Sequence, residues 1–364
     1  MPELPPRAIA WAQTMAGHPG DELVRAHRDP GARLPLQVPV LREQRQEWEA
    51  EHLTAGATLA LGAGHRARPE QPDPERTCFE RDRDRIVHSS AFRRLAGKTQ
   101  VVVYPTDHQR TRLTHALEVA QVATSIARGV GANVTLAEAI ALGHDCGHGP
   151  GGHASEDAFD AFLPQGYDHG PWGADVVLTP LNLCRETLDG IRNHSWSRPT
   201  PATVEGEIVS WADRIAYCAH DLEDAVGAGI VAVSDLPRSV TELTGSTRRE
   251  QLSAFIREVI GTTVRTGEIG MGIDVAGALA ELRGFNYERI YTRPESLAQS
   301  DAVVAVLQAL VSFYLEHPDS LPMPSEADPV HAAVAYVGGM TDRFAFGTAV
   351  ELLGWNRDRL PRPA

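Results

Sequence analysis

Apolar residues recur at helical spacing along most of the chain, and strict alternation of apolar and polar residues is rare. Val119, Val122, Ala123 and Ile126 follow one another at i, i+3, i+4 and i+7, which is the spacing of one helix face. A second stripe with this spacing runs through residues 205–225. Because such stripes usually face a core and strand signals are few, the sequence predicts an all-α fold.

Glycine and proline clusters separate the other helical segments. Besides the two segments above, helices are predicted at residues 41–61, from about 136 to 147, and at 180–193, 251–264, 275–282, 300–316 and 329–346. The capping box Thr135–Glu138 marks the start of the second of these. Residues 226–250 have no clear period. Val101–Tyr104 is the only plausible strand, so we expect at most a small hairpin.

Breaks in this pattern divide the chain into five predicted segments. They are a proline-rich N-terminal extension (1–45), a helix with a linker (46–76), a core (77–235), a C-terminal helical region (236–350) and a tail (351–364).

Charge and cysteine usage narrow the class of protein. Asp and Glu (48) outnumber Lys and Arg (34), and the net charge of −14 argues against nucleic acid as a primary partner. The four cysteines are scattered without a CxxC pair, as expected of reduced thiols. No early stretch has the order of a signal peptide, and the apolar run at residues 225–233 is too short to cross a bilayer. We therefore expect a cytoplasmic protein without membrane association.

The run Gly143–Asp157 carries the densest chemistry in the chain. Three histidines and three carboxylates lie within it, separated by glycines. Histidine is the commonest ligand of transition metals, and carboxylates complete many such sites. Glycine and proline allow the backbone to fold tightly around a small object. This composition favours a metal-binding loop over an ordinary solvated loop.

Other potential ligands lie on predicted helices near this loop. His115 falls one turn before Val119 on a buried face, and Asp213 lies on the helix at 205–225. Together with the adjacent pair His144 and Asp145, they offer two imidazoles and two carboxylates, which suits a divalent transition metal.

Each of these residues also has an ordinary explanation when it is considered alone. A histidine on an apolar helix face is commonly a core residue, and adjacent His and Asp residues arise by chance, as at Asp107-His108 and His220-Asp221. Asp213, Tyr217 and Asp221 share a second helix face, which in isolation fits a solvated surface equally well. The order His, His-Asp, Asp with helical context around every member is the stronger signal.

Four segments resemble the HD-domain phosphohydrolase superfamily, and within it the deoxyguanosinetriphosphate triphosphohydrolase-like proteins. They are FERDRDRIVHSSAFRRLAGKTQVVV (79–103), RTRLTHALEVAQ (110–121), GHDCGHGPGGHASED (143–157) and WADRIAYCAHDLEDA (211–225). FNYERIYTRPE (285–295) and GGMTDRFA (338–345) resemble the C-terminal part of that family. The resemblance spans about residues 75–350. It implies a helical HD fold, with its catalytic core at 77–235 and an additional C-terminal helical region.

The resemblance also implies roles for individual residues. It makes His115, His144, Asp145 and Asp213 the metal ligands, His153 and Glu156 a catalytic pair, His169 a further active-site histidine, Arg112 a phosphate-binding residue, and Tyr217 and Asp221 deoxyribose-binding residues. Because a very acidic protein needs local cations to hold a polyanion, we add Arg94 and Lys98 as substrate-binding candidates. Gln100, an uncharged residue of the same resembling segment, is a further candidate.

The activity implied by the resemblance is metal-dependent hydrolysis of a deoxynucleoside triphosphate to the deoxynucleoside and inorganic triphosphate. The cofactor is then a divalent ion, Mn, Fe, Co, Ni or Zn, with Mg accompanying the triphosphate. Relatives suggest a homo-oligomer. Two alternatives stay open: another HD-type phosphohydrolase, such as a nucleotidase or phosphodiesterase, and a weakly catalytic nucleotide-binding regulator.

Two stretches depart from the family pattern. The loop that often reads HPPFGH is HGPGGH at residues 148–153, and we expect these glycines to loosen the pocket. After His169, residues 170–174 replace an Asn and a Gln that often line the site, which leaves the preferred base open.

Overall fold

The computed structural model describes residues 4–29, 31, 34–35, 37–101, 109–322 and 328–361. Contacts divide the chain into two compact units, Met1–Val40 and Leu41–Ala364. The first unit contains helix α1 (Pro6–Thr14) and two short antiparallel strands, β1 (His18–Pro19) and β2 (Val24–Arg25).

This small hairpin does not lie where the sequence indicated. Val101 occupies a bend, and the rest of the predicted strand Val101–Tyr104 lies outside the described residues. In the observed hairpin, Gly17 has φ 68° and the Gly20 N–H donates to the Leu23 carbonyl at 2.8 Å. Local turn geometry therefore forms the pair without the β-branched run on which a strand prediction depends.

The second unit is helical, which confirms the all-α fold class. Its α-helices in the described part of the chain are α2 (Arg42–His52), α3 (Cys78–His88), α4 (Ser90–Arg94), α5 (Arg112–Val130), α6 (Val134–Gly143), α7 (Ala154–Asp160), α8 (His169–Trp172), α9 (Arg185–Asn193), α10 (Val204–Gly227), α11 (Arg238–Thr244), α12 (Arg248–Thr266), α13 (Ile273–Asn286), α14 (Pro294–Glu316), α15 (Pro329–Gly338) and α16 (Asp342–Leu353). Short 3₁₀ turns (Leu95–Gly97, Thr179–Leu181, Val233–Asp235, Pro318–Ser320, Arg357–Arg359) and π turns (Gly173–Val177, Tyr287–Tyr291) lie between or beside them.

Capping side chains explain where some helix boundaries differ from prediction. Helix α6 begins before the predicted capping box, because the Asn133 side chain accepts from the Leu136 N–H at 3.2 Å. The helix predicted at 329–346 is two helices, since α15 ends at Gly338 and Thr341 caps the start of α16. Helix α11 lies within the segment that lacked a clear period.

Two apolar clusters form the core of the second unit. The first surrounds α5, α6 and α10, where Val119, Ile140 and Ile215 are fully buried. The second packs α7 against α14, α15 and α16. Helix α7 directly follows the glycine-rich loop at residues 148–153. The C-terminal helices α14, α15 and α16 therefore support this loop through their packing against α7. The predicted boundaries inside this unit stay predictions.

Helix α14 is long and apolar enough to cross a membrane by length and composition alone. Six of its side chains, including Val303, Leu307 and Leu310, are buried in the second apolar cluster. A core helix of a folded protein satisfies the same criteria, so this helix is weak evidence for a membrane span.

Candidate active site

The four predicted metal ligands converge at one place. Helix α5 carries His115, the end of α6 leads into His144 and Asp145, and α10 carries Asp213. His115 Nε2 lies 3.0 Å from Asp213 Oδ1, and His144 Nε2 lies 3.6 Å from the same oxygen. His144 Nε2 is also 3.4 Å from Asp145 Oδ1. Three packed helices thus bring two imidazoles and two carboxylates within reach of one cation.

The hydrogen bonds of His144 show how this cluster fits a metal. Its Nδ1–H donates to the Ala141 carbonyl at 2.6 Å, so in the neutral imidazole that binds a metal the other nitrogen carries the lone pair. That atom, Nε2, is buried and has no hydrogen-bond partner among the described residues. A buried polar atom without a partner costs about 1–3 kcal/mol, and a bound cation would remove that cost. The two nitrogen and two oxygen donors fit a divalent transition metal.

The charges of the cluster are strongly coupled. Burial lowers the pKa of His144, but the carboxylates of Asp145 and Asp213 outweigh it and raise that pKa to about 9. Burial also acts to raise the pKa of Asp145, yet Arg112, His144 and His148 hold it well below its usual range. The carboxylates are therefore ionised, as metal ligands must be.

A second group of side chains lies beside the ligands. His153 directly precedes α7, and its Nδ1 is 2.9 Å from Glu156 Oε2. The other oxygen of Glu156 accepts from the His169 backbone N–H at 3.0 Å and from His169 Nδ1 at 2.7 Å. Burial acts to raise the pKa of Glu156, but the bonds from both histidines hold it well below its usual range. One carboxylate thus orients two histidines, and the His153 side chain is 73% exposed to the cavity and solvent.

Sequence reasoning assigned no role to two further histidines in this group. The His148 ring stacks on the His169 ring, with 3.7 Å between the ring centroids. The Nε2 atom of His148 is 3.2 Å from Asp145 Oδ1. His194, which follows α9, lies with its Nε2 3.0 Å from His169 Nε2. Burial lowers the pKa of His194 to about 3. The motif containing His148 could have indicated it, whereas nothing in the sequence around His194 connects it with the loop.

The four predicted substrate-binding residues that precede the ligand loop in sequence separate into two sets. Gln100 and the buried Arg112 line the cavity, and Arg112 Nη1 donates to Asp145 Oδ2 at 2.8 Å. Lys98 is buried and does not line the cavity. It donates to the carbonyl oxygens of His148 and Gly338. Arg94 is half-buried and does not line the cavity. The structure therefore brings only the first set to the ligand cluster.

Comparison with known proteins assigns the chain to a family. Residues 112–218 match the HD domain, and residues 269–350 match the phosphohydrolase-associated domain. A deoxyguanosinetriphosphate triphosphohydrolase-like protein of Caldanaerobacter subterraneus subsp. tengcongensis is 38% identical over 335 residues, covering 89% of this chain and 97% of the relative. Proteins of the same name from Clostridium perfringens strain 13 and Desulfatibacillum aliphaticivorans are each 37% identical, covering 84% of this chain and 95% of each relative. The chain belongs to the deoxyguanosinetriphosphate triphosphohydrolase-like family.

The ligand cluster of this HD-domain phosphohydrolase opens into a cavity of about 460 Å³. On one wall, Arg283 Nε donates to the Tyr217 hydroxyl oxygen at 2.9 Å, and the Tyr291 hydroxyl donates to Asp221 Oδ2 at 2.5 Å. The other oxygen, Asp221 Oδ1, is buried without a hydrogen-bond partner among the described residues. Burial raises the pKa of this carboxyl to about 7. Asp221 thus lines the cavity and keeps one buried carboxyl oxygen without a hydrogen-bond partner among the described residues.

The two small residues that depart from the usual family loop, Gly149 and Gly151, both lie in close packing. A Cβ at Gly149 would lie 2.7 Å from the Ser155 side chain, and one at Gly151 would lie 2.5 Å from the Val303 side chain. Gly151 also has a positive φ of 73°. The loop packs closely against its neighbours at both positions, and a wider or looser pocket stays a prediction.

The second departure, after His169, is also a close-packing feature. A Cβ at Gly147 would lie 2.5 Å from the Gly173 backbone nitrogen, so the two segments meet backbone to backbone. Trp172 packs against Tyr167 and His331 and does not line the cavity. In this family member, residues 170–174 support the ligand loop.

Asp342, which begins α16, connects three segments of the family fold at the site. Its Oδ2 accepts from the Thr99 backbone N–H at 2.9 Å and from the Thr99 hydroxyl, while its Oδ1 accepts from the Gly151 N–H at 2.8 Å. The phosphohydrolase-associated region thereby fixes both the glycine-rich loop and the segment that carries Gln100.

Proposed function

We propose that this HD-domain phosphohydrolase hydrolyses deoxynucleoside triphosphates to the deoxynucleoside and inorganic triphosphate. One observation carries the proposal. A single cavity joins the cluster of metal-type ligands, the His153–Glu156 pair and the wall of Tyr217 and Asp221. The names of the relatives, which are deoxyguanosinetriphosphate triphosphohydrolase-like proteins, support the same substrate class.

In this proposal His115, His144, Asp145 and Asp213 hold one divalent ion, Mn, Fe, Co, Ni or Zn, and Mg accompanies the triphosphate. Such an ion would supply polarisation of a phosphoryl oxygen and a more acidic bound water. Arg112 stabilises the negative charge that develops on the α-phosphoryl oxygens during attack. Its pairing with Asp145 fixes the guanidinium beside the reacting group.

His153 is the proposed general acid, because the departing 5′ oxygen is a poor leaving group that needs a proton. Its Nδ1 faces Glu156, which leaves Nε2 for the substrate. Glu156 orients the imidazole, and the bond to His169 fixes the carboxylate in place. His169 completes the proposed catalytic group.

Tyr217 and Asp221 are proposed to bind the sugar. The buried and unpartnered Oδ1 of Asp221 would accept the 3′-hydroxyl proton, while Tyr291 holds the other oxygen. Tyr217, held by Arg283, would pack against C2′ and disfavour a ribose hydroxyl. Direct phosphate contacts by Lys98 and Arg94 stay a prediction, and Gln100 stays a substrate-binding candidate on the cavity wall.

A panel of the four dNTPs and four NTPs with Mn or Mg tests this function, with products separated by ion-exchange chromatography. The proposal predicts inorganic triphosphate and deoxynucleoside from dNTPs and little product from NTPs. Nucleoside monophosphate or orthophosphate would instead indicate a nucleotidase or phosphodiesterase. Tight dNTP binding without turnover would indicate a nucleotide-binding regulator.

We also propose that the enzyme is cytoplasmic and homo-oligomeric, with no nucleic acid as primary partner. The net charge of −14 supports the absence of nucleic acid as a primary partner. The scattered cysteines support a cytoplasmic location. Multi-angle light scattering with and without dNTP measures the assembly, and a monomer under both conditions would contradict it.

A further inference from the structure

His194 has both of its ring nitrogens engaged inside the protein. Its Nδ1 lies 2.8 Å from the Ile191 carbonyl oxygen, and its Nε2 lies 3.0 Å from His169 Nε2. A carbonyl oxygen only accepts, so His194 Nδ1 carries a proton. The side chain borders the cavity but is only 2% exposed. Neither ring nitrogen of His194 is therefore left for a direct hydrogen bond to a ligand.

The contact between the two Nε2 atoms links His194 with His169. Two ring nitrogens 3.0 Å apart would repel each other if both presented lone pairs, so one proton lies between them. A buried hydrogen bond of this kind fixes the orientation of both rings, and its loss would leave a buried nitrogen unsatisfied. His194 therefore determines how the His169 ring is oriented.

His169 in turn reaches the pair proposed to act in catalysis. Its Nδ1 lies 2.7 Å from Glu156 Oε1, and His153 Nδ1 lies 2.9 Å from the other oxygen of the same carboxylate. Four side chains thus form a continuous hydrogen-bonded chain, which starts at His194 and ends at His153. Hydrogen bonds in such a chain strengthen one another, so a change at one end alters the geometry at the other.

Helix α9, which His194 directly follows, is held by the core at both ends. At its start, the Asp82 side chain accepts from the Cys184 N–H at 2.8 Å and from the Thr187 hydroxyl at 2.7 Å. Near its other end, a Cβ at Gly143 would lie 2.5 Å from the Ile191 side chain, so α9 packs closely against the end of α6. The hydrogen-bonded chain therefore begins at a fixed point of the fold.

The segment that carries His169 lies directly against the end of this helix. A Cβ at Gly170 would lie 2.8 Å from the Arg192 carbonyl oxygen, so the two backbones approach each other closely. This approach brings the rings of His169 and His194 within hydrogen-bond distance.

We propose that His194 is a positioning residue of the active site, acting on His153 through His169 and Glu156. The inference rests on the proposed function, in which His153 gives a proton to the departing 5′ oxygen. Proton transfer depends steeply on the position of the donor, and a misplacement of about 1 Å can cost about a hundredfold in rate. His194 contributes to this geometry without a bond to the substrate.

Steady-state kinetics with dGTP, together with metal content, test the role of His194. His194→Leu should lower kcat by about tenfold to a hundredfold and leave KM and metal content within about twofold of wild type. His194→Gln places an amide near the former Nε2 and should recover most of the loss. His194→Asn reaches only the former position of Nδ1 and should not.

His317→Leu is the matched control for these variants. His317 is exposed and does not line the cavity, although its Nδ1 also lies 3.0 Å from a carbonyl oxygen, that of Phe313. Its kcat should equal that of wild type. Thermal unfolding identifies any loss of fold, and the Gln and Asn variants, both polar, keep the comparison if the Leu variant unfolds.

A double-mutant cycle tests the route through His153. In a His153→Ala enzyme, His194→Leu should lower kcat by less than about twofold further, because the group that it positions is absent. Equal losses in both backgrounds would overturn the proposal. Equal kcat values of the folded Gln and Asn variants would overturn it too, since the bond to His169 would then have no effect.

Two further outcomes would assign His194 a different role and overturn the proposal. Loss of metal from a folded His194→Gln enzyme would make His194 a ligand of the ion. A raised KM with unchanged kcat would make it a substrate contact.

A measurement without turnover separates failure of this proposal from failure of the proposed function. In the enzyme loaded with Zn²⁺, a d¹⁰ ion, ¹⁵N NMR of the histidine rings should show shifted His169 and His153 resonances in His194→Leu and none in His317→Leu. Unchanged His153 resonances would overturn the positioning role. If the shifts are present but the wild-type enzyme releases no triphosphate from any dNTP, the proposed function fails and the positioning of His153 stands.

Discussion

At the scale of single residues, two buried polar atoms of the site have no hydrogen-bond partner among the described residues. They are His144 Nε2 in the ligand cluster and Asp221 Oδ1 on the proposed sugar wall. Native proteins rarely leave buried polar atoms unsatisfied. In the proposed complex, a cation at the first atom and a hydroxyl donor at the second would supply the missing partners.

Asp213→Ala should abolish metal binding, because the carboxylate faces both His115 and His144. Elemental analysis of the purified variant measures the effect. Asp157→Ala is a matched control, since Asp157 is an exposed carboxylate near the same loop. A full equivalent of metal in Asp213→Ala would contradict the ligand assignment.

His153→Ala should keep its metal and lose turnover by about 10²–10⁴-fold, the usual contribution of a positioned general acid. The exposure of His153 and its bond to Glu156 support a role in proton transfer without metal ligation. Parallel measurement of kcat and metal content distinguishes the two roles. A variant devoid of metal would make His153 a ligand.

At the scale of elements, the start of α16 and the segment before α5 hold the glycine-rich loop. Asp342 accepts hydrogen bonds from Thr99 and Gly151. Lys98 donates to the His148 carbonyl in the loop and to the Gly338 carbonyl at the end of α15. The lysine predicted to touch phosphate is thus engaged with backbone oxygens. The C-terminal region is part of the structure that positions the active site.

Asp342→Asn should lower the free energy of unfolding by about 1–3 kcal/mol, because its amide cannot accept from all three donors. Denaturant titration measures the change. Asp301→Asn on α14 changes an exposed carboxylate and should have little effect. Equal unfolding free energies of the two variants would show that the hydrogen bonds of Asp342 to Thr99 and Gly151 do not stabilise the fold.

Burial of Lys98 predicts a distinct pH dependence of stability. Burial lowers the pKa of this lysine to about 7, below the value of 10.5 for an exposed lysine. Below pH 7 the amine is protonated in both folded and unfolded chains, so its burial cost is constant. Between about pH 7 and 10.5 only the unfolded chain binds the proton, so stability rises with pH.

Lys98→Met should remove this contribution. The difference in unfolding free energy, wild type minus variant, should increase between about pH 7 and 9, by at most about 1.4 kcal/mol per pH unit. Urea titrations at several pH values measure it. A difference that is constant or decreases over that range would show that Lys98 stays charged in the folded protein.

At the scale of the whole molecule, helical spacing and the order of His and Asp residues predicted the fold class and the family. The same reasoning missed His194, because its neighbours are distant in sequence and no motif surrounds it. It assigned Lys98 to substrate from its charge, whereas burial and backbone contacts depend on tertiary packing.

The central claim is that water attacks the α-phosphorus and releases intact inorganic triphosphate. Hydrolysis of dGTP in ¹⁸O-labelled water, followed by ³¹P NMR and mass spectrometry, tests it most directly. The account predicts one ¹⁸O atom in a terminal phosphate of the inorganic triphosphate and none in the deoxyguanosine. Label in the 5′-hydroxyl of deoxyguanosine, or its appearance in orthophosphate or dGMP, would contradict it.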